Sequence, residues 1–193
     1  MSDLPQGRSR RLLIGLAVLF FAPLGLSFYL YYGHSDLQPG SRVNRGELVQ
    51  PVVTLPEESL TRLDGSETGA DFLLHKWTLV YAAAQGCDAG CQRRLYDTRQ
   101  VRIALDRDMT RSQRLFIAPA DCCDLGFLES QHPDLVTVHG AAAERLLAAL
   151  PHGAGDIYIV DPLGNLMMAY SPGAPAKGLL EDLKRLLKLS HIG

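Results

Sequence analysis

Residues 77–91 read WTLVYAAAQGCDAGC, and this stretch decides the fold. Its first six residues, 77–82, form a short apolar run of residues that favour strands, which is typical of a buried strand. A Cys-x-x-x-Cys pair, Cys87 and Cys91, follows the run. Over 92–105 apolar residues recur at helical spacing with arginines between them, which predicts a helix. The sequence therefore predicts a strand that leads through a thiol pair into a helix.

The rest of the chain continues the alternation of strands and helices. Further strands are predicted at 114–118, 156–160 and 166–170, and helices at 141–150 and from Leu179 towards the C-terminus. The DPLGN stretch that begins at Asp161 is typical of a turn, so the last two strands are expected to form a hairpin. The apolar segment 135–138 is too short to assign. This order is typical of a thioredoxin-like α/β fold, in which helices flank a central sheet.

Cys87 and Cys91 are the most informative side chains of the sequence. Side chains four residues apart at the start of a helix lie on one face, so both sulfurs can reach the same atom. A helix N-terminus lowers the pKa of thiols, and two thiolates form a soft site that prefers Cu(I) to hard cations. The same pair can also close a disulfide. The residues alone leave three interpretations open: a metal or redox site, a structural disulfide, and two unrelated buried cysteines.

An uncharged, apolar segment at 12–32 precedes the domain. At about 1.5 Å per residue, a helix of this length spans the hydrocarbon core of a bilayer. Arg8, Arg10 and Arg11 stand before it and no basic residue follows until Arg42, so the positive-inside rule places the N-terminus in the cytoplasm and exports the rest. A cleaved signal peptide is the alternative, although no good small-x-small cleavage site follows the segment.

The predicted organisation has four parts: a cytoplasmic N-terminus (1–11), a transmembrane helix (12–32), a tether with a short strand inside it (33–60), and a thioredoxin-like periplasmic domain (61–193). The chain carries 19 Lys and Arg against 21 Asp and Glu, for a net charge of −2. This balance gives no basis for nucleic-acid binding, and a hydrophobic content of 47 % excludes wholesale disorder.

Several of these features together resemble the Sco-like proteins. They are the thiol pair after an apolar strand, the IYIVDPLG segment at 157–164 and the amphipathic C-terminal helix. With the single span and the NRGEL stretch at 44–48, the chain is similar to bacterial membrane proteins associated with cytochrome oxidase assembly. The resemblance covers most of the chain from Leu12 onward.

The resemblance implies both a fold and a set of ligands. Sco proteins have a thioredoxin fold anchored by one helix, and they bind copper through two motif cysteines and a distal histidine. By matching positions, Cys87 and Cys91 take the thiolate roles, with Cu(I) as the metal. His152 falls about one residue from the expected place of the distal histidine and is the candidate third ligand. Gln92 stands where Sco motifs usually have proline.

The resemblance also implies a function and a partner. The expected protein is an assembly factor tethered to the bacterial inner membrane, and its partner is the cytochrome c oxidase subunit that carries the dinuclear copper centre. It would deliver copper, or reduce cysteines of that subunit when one thiolate attacks a disulfide and the other resolves the product. The alternatives are a general periplasmic thiol-disulfide oxidoreductase, which usually carries Cys-x-x-Cys, and a non-catalytic assembly scaffold with structural thiols.

Two further features receive no assigned role. Cys122 and Cys123 have no counterpart in Sco proteins, and three options stay open: a strained and reducible vicinal disulfide, long-range pairing with the first two cysteines, or a free pair. The arginines of the predicted helix 92–105 form a basic stripe, interpreted as a solvated face with docking to an acidic partner as the alternative. The stripe consists of Arg93, Arg94, Arg99 and Arg102.

Overall fold

The computed structural model describes residues 6–33, 44–119, 122–190 and 192, without the side chains of 6–9, 30–33 and 125. Two compact units make up the chain, Met1–Val43 and Asn44–Gly193. Helix α1, Gln6–Gly33, belongs to the first unit and continues through Pro23. Its segment Arg10–Tyr29 is long and apolar enough to cross a membrane, by length and composition, and it overlaps the predicted span. Residues 1–5 and 34–43 of the predicted N-terminus and tether lie outside the described residues.

The second unit is built around one mixed seven-stranded sheet. Its strands are β1 (Glu47–Thr54), β2 (Thr61–Arg62), β3 (Trp77–Ala82), β4 (Ser112–Ile117), β5 (Leu135–His139), β6 (Ile157–Val160) and β7 (Asn165–Tyr170). The helices are α2 (Ala89–Ile103), α3 (Leu125–Gln131), α4 (Gly140–Ala148) and α5 (Ala176–Leu189), with a 3-10 helix at Asp106–Arg111. The strand order is β1-β7-β6-β3-β4-β5-β2. Strands β3, β4 and β5 run parallel, and the other neighbours pair antiparallel.

The central strand β3 is buried along its whole length because apolar clusters cover both faces of the sheet. One cluster joins side chains of the sheet, such as Tyr81, to Leu95 of α2 and Leu183 of α5. The other joins sheet residues, such as Val80, to Leu146 of α4. The expected thioredoxin-like fold, a central sheet flanked by helices, is confirmed.

The two edges of the sheet are formed by β1 and β2. The short strand expected inside the segment 33–60 is present as β1, which pairs with β7 as part of the sheet. Most of its side chains are exposed, so neither its length nor its place in the sheet is visible as a buried or alternating pattern. Strand β2, of two residues, pairs with β5 at the opposite edge. Any tether would therefore be confined to the residues before Asn44.

The first residues of the second unit are fastened to its last helix by Asp182. The carboxylate oxygen Oδ2 of this buried residue accepts hydrogen bonds from the backbone N–H groups of Arg45 (2.7 Å) and Gly46 (2.9 Å) and from the hydroxyl of Tyr170 (2.9 Å). Burial, together with this carboxylate, raises the pKa of Tyr170. A Cβ atom at Gly46 would lie 2.5 Å from the Tyr170 ring, so only glycine fits there.

A second buried polar cluster surrounds Arg114 of β4, whose side chain is fully buried. Its Nη2 donates to the Leu95 carbonyl oxygen at 2.7 Å and to Thr98 Oγ1 at 3.0 Å, and its Nη1 lies 3.1 Å from Asp134 Oδ1. Burial lowers the pKa of Arg114 to about 10. Burial and the neighbouring guanidinium lower the pKa of His132 to about 4. The cluster therefore joins α2 to β4 and to the turn before β5.

Candidate functional site

The candidate site lies where β3 ends and α2 begins. Cys87, half-buried in the connecting loop, and Cys91, buried in the first turn of α2, are joined by a disulfide with their Cα atoms 5.0 Å apart. The structure thus brings together the two sulfurs that the spacing predicts to meet. Because Cys87 is the more exposed of the two, its sulfur is the one that an incoming group reaches first.

Asp88 fixes the start of the helix that carries Cys91. It is the N-cap residue of α2, and its Oδ1 accepts a hydrogen bond from the Cys91 backbone N–H at 2.9 Å. Its carbonyl oxygen accepts the N–H of Gln92 at 2.9 Å. An N-cap of this kind satisfies donors that the helix itself leaves free, and so it holds Cys91 in the first turn.

Cys91 opens onto a groove of about 570 Å³. Tyr81 of β3 and Arg94 of α2 line it on the side of the thiol pair. The other wall is the connection between β7 and α5, together with Gly155. The lining residues of that connection are Pro172, Gly173, Ala174 and Pro175, and Ala176 at the start of α5 completes the wall. Cavities of several hundred Å³ are of the size that proteins use to bind ligands.

Arg94 ties the two walls of the groove together. Its side chain is buried, with a relative exposure of 6 %. Nη1 donates to the Ala174 carbonyl oxygen at 3.1 Å, and Nη2 donates to those of Ser171 (3.0 Å) and Tyr170 (3.3 Å). Its buried Nε has no hydrogen-bond partner, and burial lowers the pKa of the guanidinium. Arg94 therefore places an incompletely satisfied buried cation one helical turn from Cys91.

The prediction that the arginines of α2 form a single solvated face is therefore wrong. Arg94 is buried, and Arg102 donates to Asp134 Oδ2 at 3.1 Å. Arg93 is exposed as expected, but it pairs with Asp97 at 3.2 Å and lies over the ring of Tyr96. Three of the four arginines are therefore bonded within the domain, and Arg99, partly buried, is the remaining member of the stripe.

Replacing Arg94 by methionine is expected to lower the free energy of unfolding by about 1.5–3 kcal/mol. The estimate is the usual contribution of hydrogen bonds to charged groups, here lost at the carbonyl oxygens of Tyr170, Ser171 and Ala174. Arg93→Met is the matched control, and it should cost about 0.3–0.5 kcal/mol because an exposed i,i+4 pair contributes little. Denaturant unfolding of the full chain in detergent micelles, followed by the fluorescence of the only tryptophan, Trp77, measures both. Equal effects of the two variants would contradict the role given to Arg94.

His152 lies at the same end of the sheet but faces a different partner. Its Nδ1 is 2.8 Å from Asp156 Oδ2. Its loop joins the end of β3, since Gly155 N–H donates to the Ala82 carbonyl oxygen at 2.8 Å. Among the described residues, no three His, Cys, Asp or Glu side chains gather as a metal site. The loop of His152 is thus bonded to the end of β3, and the imidazole is paired with Asp156.

Cys122 and Cys123 form the second disulfide, a vicinal one with Cα atoms 3.7 Å apart. Of the three options that the sequence leaves open, the structure contains the vicinal disulfide. The backbone of Cys123 has a φ of 81°, a region that non-glycine residues seldom adopt.

Sequence reasoning missed two residues that build the site. Asp88 carried a usable signal, because an Asp just before a predicted helix is typical of an N-cap, where its carboxylate accepts a hydrogen bond from a free N–H group of the first turn. Arg94 stands three residues after Cys91, on the same helix face as a buried thiol, and this spacing could have indicated that its side chain is buried too. Its acceptors, at the end of β7 and beyond, are too far along the chain to be found by local patterns.

Comparison with known families and curated proteins gives one match and one negative result. The family model described as transmembrane-like, thioredoxin-like, C-terminal domain matches residues 77–190, more than half of the chain. A comparison with curated protein sequences found no match.

Solved structures similar to this chain include several Sco proteins. Apo Sco1 from Thermus thermophilus superposes with a TM-score of 0.61 at 16 % identity, over 76 % of this chain and 99 % of that chain. Yeast Sco1 gives a TM-score of 0.61 at 21 % identity, over 74 % and 98 %. Copper-bound ScoI from Arabidopsis thaliana gives 0.59 at 16 % identity, over 72 % and 99 %. At these identities the likeness establishes the fold, and the expected Sco-like fold is confirmed.

Proposed function

The chain belongs to the family of transmembrane-like, thioredoxin-like C-terminal domains, and from this premise we propose that it is a membrane-tethered assembly factor for cytochrome c oxidase. It acts through Cys87 and Cys91, as a copper chaperone or as a thiol reductase. The observation that carries the proposal is the position of this pair, at the end of a buried central strand, in the first turn of a helix, beside an open groove. The likeness to Sco folds, some of them copper-bound, supports it.

In the reductase role, the reduced pair transfers two electrons to a client disulfide. The thiolate of Cys87, the more exposed sulfur, attacks one client sulfur, the client S–S bond breaks, and the second client sulfur leaves as a thiolate. The Cys91 thiolate then attacks Cys87 sulfur in the mixed disulfide. This step restores the Cys87–Cys91 disulfide that the structure contains and releases the client as a dithiol. A donor dithiol must reduce the pair before the next cycle.

In the copper role, Cu(I) is cargo for the reduced pair. Two thiolates one helical turn apart suit a soft ion, and the disulfide form offers no thiolate, so loading requires reduction. We propose His152 as the third ligand. Its loop lies at the end of β3. Its Nδ1 is paired with Asp156, so Nε2 is the atom that would bind the metal, with the carboxylate orienting the ring. The reductase role is the second candidate if copper binding fails.

The proposed location is the bacterial inner membrane. The N-terminus, 1–11, would lie in the cytoplasm because Arg8, Arg10 and Arg11 precede the apolar helix, and the sheet domain would lie in the periplasm. Disulfides persist in that compartment, in keeping with the two disulfides of the domain. The proposed partner is the oxidase subunit that carries the dinuclear copper centre.

The test uses the full chain in detergent micelles, with Cys122 and Cys123 replaced by serine so that only the first pair remains. After reduction, it should bind one Cu(I) in competition with a colorimetric Cu(I) chelator. In the absence of metal, thiol trapping across a glutathione series should show a single two-electron transition. A reduced pair that binds no Cu(I) would remove the copper role and leave the reductase role. A pair that also fails to cycle between dithiol and disulfide would remove both.

A further inference from the structure

The Cys122–Cys123 disulfide is not used by the proposed function. It lies in the connection between β4 and α3, where Cys122 N–H donates to the Pro119 carbonyl oxygen at 3.0 Å and Asp124 caps the helix that follows. Both cysteines are partly buried. A bridge between adjacent residues closes no chain loop, so it contributes little to stability by restricting the unfolded chain.

The position of this disulfide repeats that of the first one. Strands β3 and β4 are parallel neighbours, and Ala82 lies opposite Ile117 at their ends. Cys87 comes five residues after Ala82, and Cys122 comes five residues after Ile117. The carboxyl ends of neighbouring parallel strands meet at one edge of a sheet, and paired strands lie about 4.8 Å apart. Each disulfide therefore begins five residues after the end of its strand, and the two strands end at the same edge of the sheet.

The two disulfides also share one face of the sheet. All four cysteines contact the apolar cluster that lies under α2 and α5: Cys91 is a buried member of it, and Cys87, Cys122 and Cys123 pack against it. The cluster contains Ala83 and Ala118, the first residues after the two strands. A common edge and a common face place both pairs at one corner of the domain.

We propose that Cys122–Cys123 is a second redox centre that exchanges electrons with Cys87–Cys91 through an intramolecular mixed disulfide. The proposal rests on the proposed redox role of the first pair. An external dithiol first reduces one pair. If that pair is Cys87–Cys91, the Cys87 thiolate attacks one sulfur of the vicinal disulfide, whose S–S bond breaks and whose other sulfur leaves as a thiolate.

The second step completes the exchange. The Cys91 thiolate attacks Cys87 sulfur, closes the Cys87–Cys91 disulfide and releases the second sulfur of the vicinal pair. Two electrons have moved, one disulfide has formed and one has broken, and the two released thiolates take up protons from water. The steps run equally in reverse, so a donor dithiol can reduce the vicinal pair, and the reduced vicinal pair can then reduce the Cys87–Cys91 disulfide. The chain would then hold four electrons when fully reduced.

Four two-cysteine variants of the full chain test the proposal. Each keeps one cysteine of each pair and carries serine at the other two positions, so that only a bridge between the pairs can form. At least one variant should form that bridge in a glutathione buffer, since groups held at one corner have an effective concentration of about millimolar or more. Alkylation of free thiols followed by intact mass measures the bridged fraction.

The matched control combines Cys87 with Ser66→Cys, the other three cysteines being serine. Ser66 is exposed and hydrogen-bonded to Arg62 of β2, which is separated from β3 by two strands. We expect the bridged fraction of the best variant to exceed that of the control by ~10-fold or more at equal glutathione. Four folded variants that bridge no better than the control would overturn the proposal. This outcome is independent of copper binding and of client reduction, because no variant contains either native pair.

A second measurement uses the unmodified chain, in case the serine variants do not fold. Trypsin cleaves after Lys76, Arg93, Arg114 and Arg145, so the two native pairs lie on separate peptides, 77–93 and 115–145. After partial reduction with dithiothreitol and rapid alkylation, a disulfide that joins these two peptides is expected by mass spectrometry. Its absence at every degree of reduction would overturn the proposal equally.

Discussion

Cys87→Ser and Cys91→Ser are each expected to lower the affinity of the reduced chain for Cu(I) by more than ~100-fold. That figure exceeds the 10- to 100-fold loss that usually follows removal of groups that only support metal ligands. The physical reason is that a serine hydroxyl is a hard, neutral ligand, so one thiolate would be left to hold a soft ion. Competition with a Cu(I) chelator, with Cys122 and Cys123 already replaced by serine, measures the loss.

His152→Ala provides the graded comparison in the same assay. A third ligand on a loop adds a bond but also costs loop ordering, so we expect a loss of about 10-fold. If one cysteine variant keeps the affinity of its parent, the two-thiolate site is excluded. If His152→Ala has no effect while both cysteine variants lose Cu(I), the site holds the ion without that imidazole.

Arg114→Met is expected to destabilise the domain by about 3 kcal/mol, the upper end of what hydrogen bonds to a charged group contribute. The fully buried guanidinium is bonded to Thr98, the Leu95 carbonyl oxygen and Asp134. Methionine fills much of the volume but donates no hydrogen bond, so Asp134 is left with its bond to Arg102. The Leu95 carbonyl oxygen loses its shortest side-chain donor but keeps Thr98 Oγ1. Unfolding by guanidinium chloride, followed by Trp77 fluorescence, measures the change.

Arg145→Met is the control for this prediction. Arg145 also pairs with a carboxylate, that of Glu58, but its side chain is largely exposed. Its unfolding midpoint should stay close to that of the unmodified chain, because exposed ion pairs contribute little. A similar midpoint for Arg114→Met would show that the buried cluster is not the energetic link between α2 and β4.

The elements that the sequence predicted well are those whose burial is visible in local composition. Strand β3 has the bounds 77–82 that its apolar run predicts, because both faces of a central strand are covered. The hairpin of β6 and β7 forms as expected, with Asp161 Oδ1 accepting the N–H groups of Leu163 and Asn165 in the turn. The segment at 135–138, left unassigned, is strand β5.

The features that could not be predicted depend on partners distant in the chain. Arg94 and Arg114 are buried because carbonyl and carboxylate oxygens from other elements surround them, whereas locally each looks like a solvated helix or edge residue. A short strand was expected in the segment of β1, but its partner β7 lies more than a hundred residues later and could not be read from exposed side chains. The thiol spacing predicted the Cys87–Cys91 contact, but the partner of His152 was not visible in the sequence.

The bonds of Asp182 have a mechanical consequence. A load applied at the N-terminal end of the sheet domain reaches Arg45 and Gly46, whose N–H groups are held by a carboxylate on the last helix. It is therefore shared with α5 before it reaches the ladder between β1 and β7. The first strand cannot separate from the sheet unless the bonds to Asp182 break as well. Truncation of α5 would remove those bonds and leave the ladder with β7 to hold β1 alone.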